Sequence, residues 1–403
     1  MTDTELGAAS TTRESAAARP EAEDRAEPEP APVKPAAGNG PPPVEPEAPA
    51  ARVEEVRRQA RAAIEKRDAE RGTLTQRLRA AILSATSWLA CRLPEGPEIA
   101  LAELAGRVAY RTSPARAARA RANLRRVVQY LATTDMADDR TRAAATDARA
   151  LERLVRAAFR HHARYYLEIL RAPSLDGRIF DQRLVVETPE AVDAALAGER
   201  RAIFITGHLG PIELPGLYLA HHSGRRITAP METLGDPALQ RWFERTRSAF
   251  GVRIIGLREA RRALMAELRS GESVGLVADR DITGGGIEVP FFGSPAPLPV
   301  GPAFLATESD VPLYLAGVWR VGERGYRGRL VEVPVTREGA RRDRIAGTLE
   351  AEARAFERMI ANAPEQWMAI FFPIWPDIES ELAAAAGAAG AAGSSPNGSE
   401  PGA

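Results

Sequence analysis

Two hydrophobic rhythms divide the chain. Up to about residue 170, apolar positions recur every three or four residues, the period of an α-helix. Leu74, Leu78, Ala81, Ile82, Ala85, Trp88 and Leu89 make one such stripe, with Arg71, Arg77, Arg79 and Arg92 clustered at its ends. Helical spacing continues through 99–110, 115–131 and 151–170. Beyond that point short apolar runs alternate with helical ones. Strands are expected near 183–187, 202–206, 226–230, 252–256, 273–278, 287–292, 311–319 and 327–335. Helices are expected near 189–198, 211–222, 236–250, 258–270, 300–309 and 341–362. Alternation of this kind predicts an α/β fold, a mostly parallel mixed sheet flanked by helices and preceded by amino-terminal helices.

Composition trims the part that folds. Residues 1–50 hold ten of the 31 prolines and ten Asp/Glu against four Lys/Arg, with few large apolar side chains, so a disordered tail is expected there. From Ser380 onward the chain is mostly Ala, Gly, Ser and Pro, which predicts a second flexible tail over 380–403 and leaves 51–379 as the ordered body. The formal net charge of zero hides a basic body, with eleven arginines and three acidic residues between Arg71 and Arg126. A lone cysteine, Cys91, excludes an internal disulfide framework and fits a buried thiol in a helix. No secretory signal is expected, and the longest uncharged run near the start, Ala80 to Cys91, is too short to span a bilayer.

The chemistry concentrates in Ile203-Phe-Ile-Thr-Gly-His208-Leu-Gly-Pro-Ile-Glu213. A short β-branched and aromatic run closed by Gly207 reads as a buried strand, which places His208 at its carboxyl end. Gly210 permits a turn, Pro211 suits the start of a helix, and Glu213 falls in the first helical turn, where the helix dipole favours a carboxylate. If the turn lets His208 and Glu213 converge, the carboxylate orients the imidazole and the imidazole takes a proton from a hydroxyl. The alternative is a histidine that merely ends a strand.

With its neighbours, this segment resembles the lysophospholipid acyltransferase-like family, which includes lipid A late acyltransferases and phosphatidylinositol mannoside acyltransferases. The likeness covers most of 75–377. It rests on the His-x4-Glu pattern, Arg245-Thr-Arg247, Val277-Ala-Asp279-Arg280-Asp281, Ile287-Glu-Val-Pro-Phe-Phe-Gly293, Pro299-Val-Gly-Pro302, Pro364-Glu-Gln-Trp-Met and Asn123-Leu-Arg-Arg. Asp279-Arg-Asp and Glu288 look more like the mannoside enzymes. Pro211, Ile212 and Glu213 depart from the Asn, Trp and Asp more usual at those places.

The resemblance implies an O-acyltransferase with no cofactor, acyl-CoA as donor and a membrane glycolipid as acceptor. Its candidate catalytic residues are His208, Glu213 and Glu288, the last as a second orienting carboxylate or an ordinary outward strand glutamate. Arg247, Asp279 and Arg280 are candidate substrate-binding residues. Pro290, Phe291, Phe292 and Leu298 are possible walls of an acyl groove, with core packing as their alternative.

Other features narrow the partners. Adjacent histidines in His161-His162 and His221-His222 cannot share one metal on a helix, so no metal site is expected. Gly284-Gly-Gly286 reads as a turn rather than a phosphate cradle. The 74–89 stripe leaves two readings open, a core-packing helix or one lying on an anionic membrane surface at the cytoplasmic face. Sparse aromatics among the arginines argue against nucleic acid. A lipid A-type acceptor, or lipid binding without catalysis, is the remaining alternative, and oligomeric state is left open.

Overall fold

In the computed structural model, the described residues are Glu55, Arg58 and 73–393, other than 176, 198–200, 225–226, 233 and 249–251. The expected amino-terminal tail, 1–50, lies outside them. Helices come first: α1 (Leu74–Ala90), α2 (Glu95–Thr112), α3 (Pro114–Ala132), α4 (Asp139–Thr146) and α5 (Ala148–Arg171). Local chemistry fixes their starts. Thr73 and Gln76 form a reciprocal capping box on α1, and the Asp138 and Asp147 carboxylates accept the free N–H groups that open α4 and α5. On α5 the stripe Leu151, Leu154, Val155, Ala158 and Phe159 is buried in the main core, each larger side chain contributing about 1.5–3 kcal/mol.

The sheet follows. Its strands are β1 (Leu184–Val186), β2 (Ile203–Thr206), β3 (Ile227–Met231), β4 (Val252–Gly256), β5 (Ser273–Val277), β8 (Leu313–Val321) and β9 (Gly325–Val333), and β6 (Ile287–Phe291) with β7 (Ser294–Leu298) forms a separate antiparallel hairpin. The order across the sheet is β1-β9-β8-β2-β5-β3-β4. All neighbours are parallel except β8 and β9. Between them run α6 (Arg178–Arg183), α7 (Pro189–Leu196), α8 (Glu213–Ser223), α9 (Pro237–Ser248), α10 (Ala260–Arg269), α11 (Gly301–Ser309) and α12 (Arg341–Ile360). This is the α/β architecture that the alternation predicts.

Three differences stand out. β7 was not expected, because Ser294-Pro-Ala-Pro-Leu298 carries two prolines; a two-stranded hairpin tolerates them since one side of each strand needs no partner. The last helix, α13 (Pro376–Gly393), runs past the boundary at Ser380 into the Ala/Gly-rich segment. The apolar stripe of α1 faces outward. Leu74 is 81 % exposed and Trp88 58 %, while the helix packs through Ser87 and Ala90, the Ser87 hydroxyl donating to the Leu170 carbonyl at 2.6 Å. α2 likewise exposes Leu101, Leu104 and Val108. Among the described residues no helix is long and apolar enough to cross a membrane.

Candidate active site

β2 and β5 are neighbours in register, with Thr206 opposite Val277 and the Ala278 N–H donating to the Thr206 carbonyl at 2.9 Å. Two residues beyond the paired ends stand His208 and Asp279. Ligands of open α/β sheets bind outside such carboxyl ends. Asp279 grips the histidine twice: its Oδ1 lies 2.7 Å from His208 Nδ1, and its Oδ2 accepts the His208 backbone N–H at 2.7 Å. The Trp367 indole N–H also donates to Oδ2 at 2.7 Å.

Asp279 is fully buried, whereas the His208 side chain is 25 % exposed. Burial alone would raise the Asp279 pKa, but the charge of His208 and the hydrogen bonds from His208 and Trp367 together hold it below the ordinary value. An ionised carboxylate on Nδ1 fixes the proton there and leaves Nε2, which has no protein partner among the described residues, as the basic nitrogen.

The turn itself is clamped. Met368 N–H donates to the His208 carbonyl at 2.7 Å, Gly210 N–H donates to the Gln366 carbonyl at 3.0 Å, and Leu209 bridges Trp367. Gly210 has φ +57°, and a Cβ there would stand 2.4 Å from the Val318 carbonyl oxygen, so only glycine lets the turn approach β8. Gln366 is itself locked to β8, accepting from Arg320 N–H and donating to the Arg320 carbonyl, both at 2.9 Å.

The expected residues divide accordingly. Asp279, not Glu213, takes Nδ1 of His208, so the carboxylate expected on the substrate side is the one that orients the ring. Glu213 opens α8, is largely buried, and pairs with Arg247 of α9 at 3.8 Å. Burial pushes its carboxyl up, opposed by Arg247. Tyr165, from α5, lies half-buried beside this pair, its hydroxyl pushed well up by burial and by Glu213 and opposed by Arg247.

Glu288 does not join the group. It occupies an exposed position of β6 opposite Pro297 and makes no hydrogen bond or ion pair among the described residues. Arg280 lays its guanidinium on the Phe372 ring, 4.1 Å from the centroid. The Gly284–Gly286 turn is tied by Asp281, whose carboxylate accepts from Gly284 and Gly286 N–H groups at 3.2 and 2.7 Å, so those groups are not turned to a phosphate.

Phe291, Phe292 and Leu298 are core residues rather than groove walls, the two rings packed against Trp367 and Trp375. Pro290 is exposed. Sequence reasoning missed the role of Trp367. Its signal was present in the Pro364-Glu-Gln-Trp-Met segment, but nothing in the sequence says which carboxylate the indole meets.

Two cavities flank the turn. One, of about 240 Å³, is mixed, lined by Glu168, Arg171, Arg178, Gln182, Arg183 and Glu213 and by apolar Leu175, Ile179, Pro211 and Leu214. The other, of about 140 Å³, is apolar and runs between α8 and the sheet past Phe204, Ile205, Leu219, Ile227 and Leu276. Thr206, Ile212, Glu213 and Arg247 also border it. Glu213 thus stands in the wall of both.

A sequence model of bacterial lipid A biosynthesis acyltransferases matches residues 71–372, which include the histidine turn, both cavities and the Trp367 clamp. The chain belongs to that family. The enzyme is 30 % identical over 240 residues to a protein named phosphatidylinositol mannoside acyltransferase from Mycolicibacterium smegmatis, a match covering 58 % of this chain and 76 % of the relative. A protein of the same name from Mycobacterium tuberculosis is 31 % identical over 220 residues, covering 53 % and 68 %. It is an acyltransferase by family, with His208 and Asp279 at the carboxyl ends of two adjoining central strands.

Proposed function

We propose that this acyltransferase moves a long fatty acyl chain from acyl-CoA to a hydroxyl of a membrane glycolipid, most specifically a phosphatidylinositol mannoside, with His208 as general base. The observation that carries the reading is the His208–Asp279 pair at the ends of adjoining strands, with an apolar groove and a charged cavity meeting at Glu213, five residues further along the chain. The groove, apolar and open at one side, suits part of an acyl chain. The charged cavity, with its Glu, Arg and Gln side chains, suits a polyhydroxyl headgroup.

His208 Nε2 takes the hydroxyl proton as the oxygen attacks the thioester carbonyl. The tetrahedral intermediate collapses with cleavage of the C–S bond, and the imidazolium returns its proton to the departing sulfur, giving ester and free thiol. Asp279 holds the tautomer and balances the imidazolium charge. Glu213 can accept a hydrogen bond from an acceptor hydroxyl, and the Arg247 guanidinium and first-turn N–H groups of α8 are donors suited to the oxyanion. The exposed apolar faces of α1 and α2 would hold the enzyme peripherally on the cytoplasmic face of the membrane.

Purified protein, labelled long-chain acyl-CoA and phosphatidylinositol mannosides should yield an acylated product by mass, and His208→Ala should abolish it. A lipid A precursor offered in competition should be acylated poorly. Preference for that precursor would overturn the acceptor, transfer from acyl carrier protein but not acyl-CoA would overturn the donor, and undiminished turnover by His208→Ala would overturn the base.

A further inference from the structure

Away from the His208 turn, α2 and α5 border a third, open pocket of about 300 Å³ lined by Arg107, Tyr110, Arg111, Arg156 and Arg160. Four guanidinium groups around one space, offset only in part by Glu103 and Glu152, favour an anion among them. The helices approach closely here because α2 carries Gly106, where a Cβ would lie 2.7 Å from the Arg160 Cα. The nearby carboxylates are already engaged. Glu152 accepts from Arg121 at 2.6 Å and from the Tyr110 hydroxyl, and Glu103 lies 3.7 Å from Arg107 and 3.8 Å from Arg164. Arg111 and Arg160 make no ion pair among the described residues, and Arg156 lies over the Tyr110 ring, 5.3 Å from its centroid, and is attracted by Glu152 without a direct ion pair.

Position supplies the second observation. Leu101, Leu104, Val108 and Arg111 follow one another on α2 at steps of three and four, so the exposed apolar stripe runs directly into the pocket's rim. A surface that inserts apolar side chains and then presents grouped guanidinium groups matches a lipid interface, where acyl chains give way to phosphates.

We propose that Arg107, Arg111, Arg156 and Arg160 form a binding site for the phosphodiester of an anionic lipid, distinct from the His208 turn, which orients the enzyme on the bilayer. The inference rests on the membrane-facing reading of α1 and α2 given above. Fork-shaped guanidinium groups can take phosphate oxygens in pairs, and Tyr110 can stand at the headgroup level.

The test uses the full chain, with folding of each variant checked by thermal melting, and vesicles of phosphatidylcholine alone or with a minority of phosphatidylglycerol. The triple variant Arg111→Gln, Arg156→Gln, Arg160→Gln should bind neutral vesicles like the unaltered protein. On anionic vesicles it should lose clearly more than the about fivefold per arginine, about 100-fold for three, that diffuse attraction alone gives. Arg77→Gln, Arg79→Gln, Arg92→Gln removes the same charge from α1 and should lose no more than that diffuse amount. Equal losses in the two triples would overturn the pocket in favour of diffuse attraction.

Substituting Ser for Leu101, Leu104 and Val108 should weaken binding to both vesicles, and failure to do so would sink the membrane-facing reading itself. A melting shift with inorganic phosphate that needs the three arginines, without vesicle binding, would overturn the lipid and leave a soluble phosphate as the ligand.

Discussion

At the residue scale, one carboxylate decides what His208 can be. Asp279→Asn should leave the fold intact and lower kcat by about 10²- to 10⁴-fold, the range for losing general-base function; steady-state kinetics on the purified variant checks it. The carboxyl of Asp279 is held below its ordinary value in the folded protein. Its stabilisation is therefore present above the unfolded value of about 3.9 and is lost as pH falls through the folded value. The melting difference between Asp279→Asn and the unaltered protein should shrink on acidification.

Glu352 shows the opposite sign. Buried on α12 with both oxygens unpartnered, it is pushed well above the ordinary range by burial. Its penalty is absent at low pH and grows as pH rises above the unfolded value of about 4.3. Glu352→Gln should raise the melting temperature at pH 7 and change little near pH 4.

His208 was legible in the sequence because strand, glycine and imidazole are consecutive. Its partner was not. Glu213 lies five residues away in the chain, Asp279 seventy-one, and only the pairing of β2 with β5 makes the distant one nearer to Nδ1.

At the scale of elements, the segment from Pro364 to Met368 determines how the His208 turn is held. Trp367→Phe keeps a ring among Phe291, Phe292 and Trp375 but removes the donor to Asp279. A hydrogen bond to a charged group contributes about 1.5–3 kcal/mol, so the denaturation midpoint should fall by a matching amount, with kcat reduced and KM little changed. The elements themselves were largely readable, since strands and helices from β1 to α12 follow two distinct periodicities.

What periodicity could not supply was which way a stripe faces. The residues of α1 read equally well as a core helix, and only the packing of Ser87 and Ala90 against the body shows that the apolar side is turned out. β7 escaped for a related reason, because its prolines are acceptable only once its partner is known to be a lone hairpin strand.

At the scale of the whole molecule, the carboxyl-terminal segment ties the helical layer to the sheet. The Asn123 amide donates to the Ile370 and Phe372 carbonyls, and Arg119 and Arg126 pair with Glu379 and Asp377. The layer that exposes apolar surface is thus fastened to the segment that clamps the His208 turn. If that layer meets an anionic bilayer, attachment should respond to salt in two ways. Sedimentation with phosphatidylglycerol-containing vesicles should weaken as the screening length falls from about 10 Å at 0.1 M to about 3 Å at 1 M, while the smaller fraction bound to neutral vesicles should not.

The union of β2 and β5 has one more consequence. A His208–Asp279 pair assembled by strand pairing is in place before any substrate arrives. On warming, that pair should survive as long as both the central strands and the clamp from Pro364 to Met368 stay joined to it.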